Sequence, residues 1–469
     1  MRLRLQALKA EGGTALVLVV FLTAALTLTA VSLTEIVRGD ASRGEKGVVR
    51  DAAFQAAEAG LDDYTSKLLD DNQYFLHDVA LGESTRRSSG GTLVSPGATP
   101  TTWLYGTTWT YPNGKNNWRQ LTNGYEYNLQ INAPTSTNQF VDIFATGRKQ
   151  GTTSPARVIE ERLRPSSVAD FLMMTNSDYS VGSAATTYGK IYAGIDSSGV
   201  AHNVDHQGTS YGNIYAEGNI TGNPNMQGGA LKYDHNTIRT VIKSPISFTS
   251  FASSLVDIQR AAQLSGIYLN NAAKDAWQLT FNSNGTVDVK SCTKSGGNPV
   301  GGVAPVCGTA TNYPVPANGA IYAEQTAVIA GGSSSCDGLT NANCVNGRVT
   351  VASNQDIVVG DDLGHVQDGD DVLGLIARND VIIAQWAPST TWWRAAVVAQ
   401  YGRRHSYSSD GSHTLATFTG SVASNLGPYM DMFQNRVYNY DPNLMYLQPP
   451  WFPTINYAYT VLLFRELPG

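Results

Sequence analysis

The chain has 469 residues, 32 of them basic and 38 acidic, for a formal net charge of −6. Charged residues make up 15% of it and hydrophobic residues 42%, against about 25% charged in an ordinary soluble protein. That balance supplies a core and excludes global disorder, and the weak acidity argues against a general nucleic-acid binder, whose field is basic.

The first element is residues 14–34, a run with no charged residue, no Pro and no Gly. As a helix it spans roughly 30 Å, the thickness of a hydrocarbon core. Arg2, Arg4 and Lys9 precede it against one acid, Glu11, a bias that holds the short tail in the cytoplasm and sends the rest of the chain outward. A secretory signal peptide has a shorter apolar core followed by a small-residue cleavage site, and neither feature fits here. An ordinary signal anchor fits the length. So does a prepilin-type leader, a short basic peptide ending in Gly directly before the apolar helix, and Gly12-Gly13 stands at that place before Thr14.

Residues 48–69 repeat small and apolar side chains at steps of four. One row runs through Val48, Ala52, Ala56, Gly60, Tyr64 and Leu68, and a second through Val49, Ala53, Ala57 and Leu61. Together they predict an amphipathic helix with Arg50, Asp51, Gln55, Glu58, Asp62, Asp63 and Lys67 on its polar face. Gly39, Gly44 and Gly47 predict a loosening between this helix and the apolar one.

Gly-Gly before an apolar run, followed by Ala53-Phe54-Gln55-Ala56-Ala57-Glu58-Ala59-Gly60-Leu61, resembles the N-terminal region of PilX-type minor pilins of type IV pili, over roughly the first 70 residues. The resemblance implies leader cleavage at Gly12, Gly13 and Thr14 by a prepilin peptidase, residence as a single-pass inner-membrane protein before assembly, and then a place in a cell-surface pilus among other pilins and minor pilins. Major pilins of that family carry Glu at the fifth mature position. Here that position is Leu18 or Val17, depending on the cut, which suits a tip or priming subunit rather than a repeating shaft subunit.

Residues 80–122 read as loop and irregular structure. Strands are expected at 125–131, 140–146 and 156–163, with 147–151 as a hairpin turn and a last strand at 457–464. We expect these strands to form one antiparallel sheet covering the helix stripe, with the chain between about 170 and 450 inserted in it. In the insertion, Gly189-Lys190-Ile191-Tyr192-Ala193-Gly194 recurs as Gly212-Asn213-Ile214-Tyr215-Ala216-Glu217 and again as Gly319-Ala320-Ile321-Tyr322-Ala323-Glu324. The first two copies are one plausible solenoid turn apart. Short β runs at 348–351, 357–359, 373–377, 381–384, 395–399 and 417–423 then follow in series, punctuated by Gly, Asn or Asp, and suit a β-helix; a sandwich or barrel is the competing reading. One helix is expected at 250–265.

The fold expected is therefore α+β: a long N-terminal pilin helix on an antiparallel sheet, with a large inserted β-solenoid. The expected division is leader 1–13, N-terminal helix 14–72 with 14–34 in the membrane, sheet head 73–170, inserted solenoid 171–448 and return strand 449–469. From Asp371 onward, the order Val372–Val381, Ala395–Gln400, Gly420–Ala423, Arg436–Pro442 and Pro449–Pro453 resembles the C-terminal part of large solenoid-bearing minor pilins. Pro449, Pro450 and Pro453 force an extended path. Tyr438, Tyr440, Trp451 and Phe452 are expected to wedge that path in place.

Four cysteines, Cys292, Cys307, Cys336 and Cys344, all lie beyond the apolar run and fit an oxidising compartment. They allow three pairings, of which the local one, closing two Gly/Ser/Asn-rich loops, is favoured. No C-x-x-C spacing supports zinc. His202 and His206 have an HxxxH spacing, but in loop and strand rather than on a helix. Asp361, Asp362, Asp368, Asp370 and Asp371 lack the ordered spacing of a calcium loop. No metal or other cofactor is expected. P-loop, G-x-G-x-x-G and H-E-x-x-H motifs do not occur, so no enzyme is expected, and a β-helix enzyme acting on polysaccharide has no such motif to support it. Arg403, Arg404 and His405, flanked by Tyr401 and Tyr407, form a candidate DNA contact, with a solvated loop as the competing reading. The expected function is a minor pilin of a bacterial type IV pilus, located at the tip or priming assembly. The alternatives are a pilus-borne adhesin for a host or abiotic surface, a DNA-uptake receptor, or a minor pseudopilin of type II secretion.

Overall fold

The computed structural model describes residues 4–70, 74, 86–87, 93–94, 108–111, 118–132, 140–152, 156–183, 185–242, 244–246, 248 and 252–467. One helix, α1, runs from Arg4 to Asp70, and its side chains are described at 20–23, 26–35, 44 and 46–69. The loosening expected at Gly39, Gly44 and Gly47 does not occur: the backbone is helical throughout. A glycine costs a helix only about 1 kcal/mol relative to alanine and removes no main-chain hydrogen bond, so three of them do not end one.

The second half of α1 lies on an antiparallel sheet in the order Thr108–Tyr111, Tyr125–Asn132, Val141–Lys149, Ala156–Ser167 and Thr454–Leu467. Arg119–Gln120 pairs with Tyr125–Asn132 as well. The region 80–122 thus contributes two short strands to this sheet where loop was expected, and Arg86–Arg87 pairs with Leu93–Val94 in a separate ladder; its remainder lies mostly outside the described residues. Val141, Ile143 and Ala145 alternate inward and pack with Ala57, Leu61, Tyr64 and Leu68 of the helix stripe. The stripe is buried from Ala53 onward, whereas Val48 at its start is exposed.

Gly147 continues the inward alternation, so it is strand interior and not the hairpin turn its composition suggested. A Cβ there would run into the main chain of α1 at Ala53 and Ala57. The missing side chain sets how closely helix and sheet approach. Gly60 does the same from the helix side, where a Cβ would sit 2.7 Å from the Tyr127 ring.

The Ala156–Ser167 strand finds its partner nearly three hundred residues later, in Thr454–Leu467. The intervening chain is built mainly of short parallel ladders. Ile191–Ala193 pairs in parallel with Met173–Thr175 on one side and Ile214–Ala216 on the other, which places Ile191 on Ile214 and Tyr192 on Tyr215. The two repeat copies are therefore neighbouring rungs. Their leading glycines stack, and a Cβ on Gly212 would collide with the Gly189 main chain. Ile191 and Ala193 face the interior, while Tyr192 faces the opposite side, buried with Phe171, Ile246 and Phe248. The third copy, in Ala320–Ala323, stands in the same sheet between Ile267–Leu269 and Arg348–Ser353. The helix α2, Ala252–Ser265, covers this end, and residues 250–251 lie outside the described residues.

The rungs are not stacked in chain order. From Met173–Thr175 the chain builds outward to Lys232–Tyr233, then passes through α2 to the far end. It returns through Ile267–Leu269, Ala320–Ala323, Arg348–Ser353, Val372–Ala377, Thr390–Ala399 and His413–Ser424. That last strand pairs with the first, Val422 beside Met173 and Ser424 beside Thr175. Two stacks therefore abut and share one continuous parallel sheet.

Cys292 is bonded to Cys307 and Cys336 to Cys344, the two local pairs. The return path is fastened by Pro450, Trp451 and Phe452, whereas Tyr438, expected to wedge it, packs against Arg404 instead. Trp451 Nε1 donates to the Asn318 carbonyl at 2.7 Å, the Thr350 hydroxyl donates to the Pro450 carbonyl, and Phe452 is buried against Gly374.

Candidate functional site

Two features carry no evident structural purpose: the outer half of α1 and the junction of the two stacks. On α1, Val20, Phe21, Leu22, Leu26, Leu28, Val31 and Leu33 are all exposed, Phe21 at 75% and Leu28 at 70%. The hydroxyls of Thr23, Thr27, Thr29 and Ser32 donate back to main-chain carbonyls three or four residues earlier, which removes polar groups from that surface. The side chains of Gly12, Gly13, Thr14 and the rest of 14–19, with 24 and 25, lie outside the described residues. Among the described residues no helix is long and apolar enough to cross a membrane.

At the junction, the shared sheet is continuous but the second sheet is broken. One stack ends its second sheet at Arg404–Ser406, paired with Val381–Ile383. The other begins its own at Tyr179–Val181, paired with Val204–His206. Between them lies a groove of about 1000 Å³ bounded by residues 177–182, 185–188, Arg403, Arg404, 426–431 and 434–439. Residues 428–430 close one wall, with Tyr429 N–H donating to the Arg404 carbonyl at 3.1 Å and Ser406 N–H to the Tyr429 carbonyl at 3.2 Å.

The basic trio is divided by this geometry. The strand Arg404–Ser406 alternates, so Arg404 points inward and is 2% exposed, and it is not part of a solvated basic patch. Its guanidinium lies 5.5 Å from the Phe418 ring centre and 5.2 Å from that of Tyr438. Its Nε and Nη1 are buried without a hydrogen-bond partner. Arg403 lies 5.6 Å from the Tyr429 ring at the groove wall. His405 Nδ1 donates to the Ser406 carbonyl at 2.8 Å, and its Nε2 lies 3.7 Å from Asp380. Arg403 and His405 therefore lie towards the outside, while Arg404 is reached only from the floor of the groove.

The other candidates are structural hydrogen-bond partners. His206 is buried with Nε2 on the Thr187 hydroxyl, and burial lowers its pKa, while His202 sits between Asp178 and Asp196. The HxxxH pair does not converge. Asp361 and Asp362 accept main-chain N–H groups from Gly332 and Trp392, and Asp371 from Gly347 and Gln367. Asp368 pairs with Arg394, whose hydrogen bond holds its carboxyl below the usual range. Arg394 also reaches Asp441 at 2.7 Å and Asp337 at 3.6 Å. Beside this cluster His365 is buried and pushed down to about 4, first by burial and then by the Arg394 charge. No group of His, Cys, Asp or Glu among the described residues is arranged to hold a metal ion.

Sequence reasoning did not find the groove. Ser180, Tyr429, Tyr438 and Arg404 come from four segments brought together where two stacks meet, and no spacing in the chain encodes that meeting. The one available signal was the Arg-Arg-His run itself.

No protein-family model and no curated protein matches the chain. Among solved structures, it is similar to the crystal structure of competence-associated pilin ComZ from Thermus thermophilus, at 13% identity and a TM-score of 0.28, over 89% of this chain and 97% of that one. At that TM-score the likeness does not by itself fix a fold or a function.

Proposed function

We propose that the chain is a minor pilin of a bacterial type IV pilus, a tip or assembly-priming subunit that is cut at Gly12/Gly13 and built into the filament through its apolar helix. The observation that carries this reading is a single 67-residue helix of two characters. Its inner half buries its stripe on a sheet, and its outer half presents large apolar side chains with nothing against them. An apolar surface of that extent is unfavourable in water by about 25 cal/mol per Å². Lipid covers it before assembly and the helices of neighbouring pilins cover it afterwards. The helix is roughly 100 Å long at 1.5 Å per residue, so it reaches far beyond the sheet.

The parallel stacks read best as a β-solenoid inserted between the strands Ala156–Ser167 and Thr454–Leu467. Both ends of the insertion leave adjacent strands, so the head can carry a large cargo without disturbing its sheet. A cargo of that size crowds a regular shaft, which favours the tip. No catalytic role is proposed, since the acids and histidines singled out by spacing serve as turn and strand partners.

Mass spectrometry of the mature chain is expected to show an N-terminus at Gly13 or Thr14; an intact Met1, or a cut beyond Thr34, contradicts the proposal. Replacing 14–34 by an unrelated membrane anchor of equal hydropathy is expected to retain the protein in the membrane but abolish its incorporation into pili.

A further inference from the structure

The break in the second sheet leaves an open strand edge beside an unneutralised charge. In a parallel strand, alternate residues direct both main-chain groups to the same side. Tyr179 N–H donates to the Asn203 carbonyl, and the Val181 carbonyl accepts from Gln207 N–H, so both face the neighbouring strand. Ser180, between them, directs its N–H and C=O the other way, into the groove. Tyr179–Val181 is the terminal strand of its sheet, and no described strand pairs with that side.

The floor of the same groove holds Arg404. A guanidinium 2% exposed, with two nitrogens lacking acceptors, is expensive to keep charged. The acids on the groove walls do not answer it: Asp431 pairs with Arg436 at 2.7 Å, and Asp178 accepts from Asn203 N–H at 2.8 Å and lies 3.2 Å from His202. The rings of Phe418 and Tyr438 hold the guanidinium in place without neutralising it.

We infer that the groove is a docking site for an extended peptide segment of another protein, which adds a strand to the open edge at Ser180 and places an Asp or Glu carboxylate on Arg404. Strand addition supplies main-chain hydrogen bonds, and the buried guanidinium selects the acidic side chain. The open main-chain edge favours a peptide over an acidic sugar, which has no use for a row of amides. The inference stands apart from membership of a pilus, because it uses only the junction.

The test is selection of a random dodecapeptide phage library on the immobilised full chain in mild detergent, followed by fluorescence anisotropy with the synthesised winners. The expected result is a set of clones with alternating apolar residues and one acidic residue in fixed register. Arg404→Met removes the buried charge without a void, so the fold should keep its melting temperature while affinity falls at least tenfold. Ser180→Pro, at an exposed edge position, is expected to cost a similar factor. Changing the peptide's acid to its amide should cause the same loss, and no further loss on the Arg404→Met protein. Absence of any enriched clone, winners that bind the Arg404→Met and Ser180→Pro proteins unchanged, or binding of oligogalacturonate at the groove in place of every peptide overturns the inference.

Discussion

The sheet head and the parallel stacks solve the same problem, burial of a β surface, by opposite means. In the head one helix lies across one sheet, and the fit depends on two glycines, Gly60 and Gly147, that let the elements touch. In the stacks each rung is covered by the next, and a position such as Ile191 is buried by its own equivalents, Met173 and Ile214. The lesson is where each region is vulnerable. A single added carbon can separate helix from sheet, whereas in a stack the energy is distributed over nearest-neighbour contacts.

The sharpest way to break that comparison is Gly147→Val. Its side chain has no space against the α1 main chain, and the helix must lift from the sheet. We expect a loss above about 4 kcal/mol, read as loss of soluble folded protein or of protease resistance in the head, while the stack's disulfides still form. A volume increase at Val351 or Ile357, inside the stack, should cost about 1–3 kcal/mol. Equal effects at the two places would remove the distinction.

The second test falls on a concentrated polar centre in the stack, around Arg394. Arg394→Ala leaves Asp441, which is buried, without its cation, and is expected to cost about 3–5 kcal/mol in denaturant unfolding. A loss below about 1 kcal/mol would show that even this centre is distributed.

The smallest expected effect concerns His365. Its folded pKa is about 4 against an ordinary 6.5, so between those values the unfolded state binds more protons. Stability from this group is fully present above about pH 6.5 and declines on acidification towards pH 4, by at most about 1.4 kcal/mol per pH unit. Arg394, Asp337, Asp371 and Asp441 face the same imidazole. His365→Asn is expected to flatten the stability profile over pH 4–6.5, measured by urea unfolding, and an unchanged slope would assign that dependence to other groups.

Much of each region was readable along the chain, though not its contacts. The steps of four from Ala53 to Leu68 gave the buried helix face, and the three Ile-Tyr-Ala copies gave the rungs, because both patterns are local periodicities that any folded neighbour must respect. Gly147 was misread as a turn because glycine has the same composition signal whether it supplies a positive φ or a missing side chain. The basic trio was read as a patch because adjacency in sequence says nothing about alternation until the strand is known; once Arg404–Ser406 is a strand, its first and third side chains share one face, and packing makes that face the inner one.

The sequence by itself determined the elements: an apolar-then-amphipathic helix, alternating strands and repeated short rungs, each set by a spacing of two or four. Only the tertiary structure decided their order in space. The last rung, at Val422, lies beside the first, at Met173, and the strand at 454 closes the sheet begun at 108. Such pairings are chosen by the total surface each arrangement buries, a sum over distant residues that no local pattern carries. The groove beside Arg404 is the gap left by that choice.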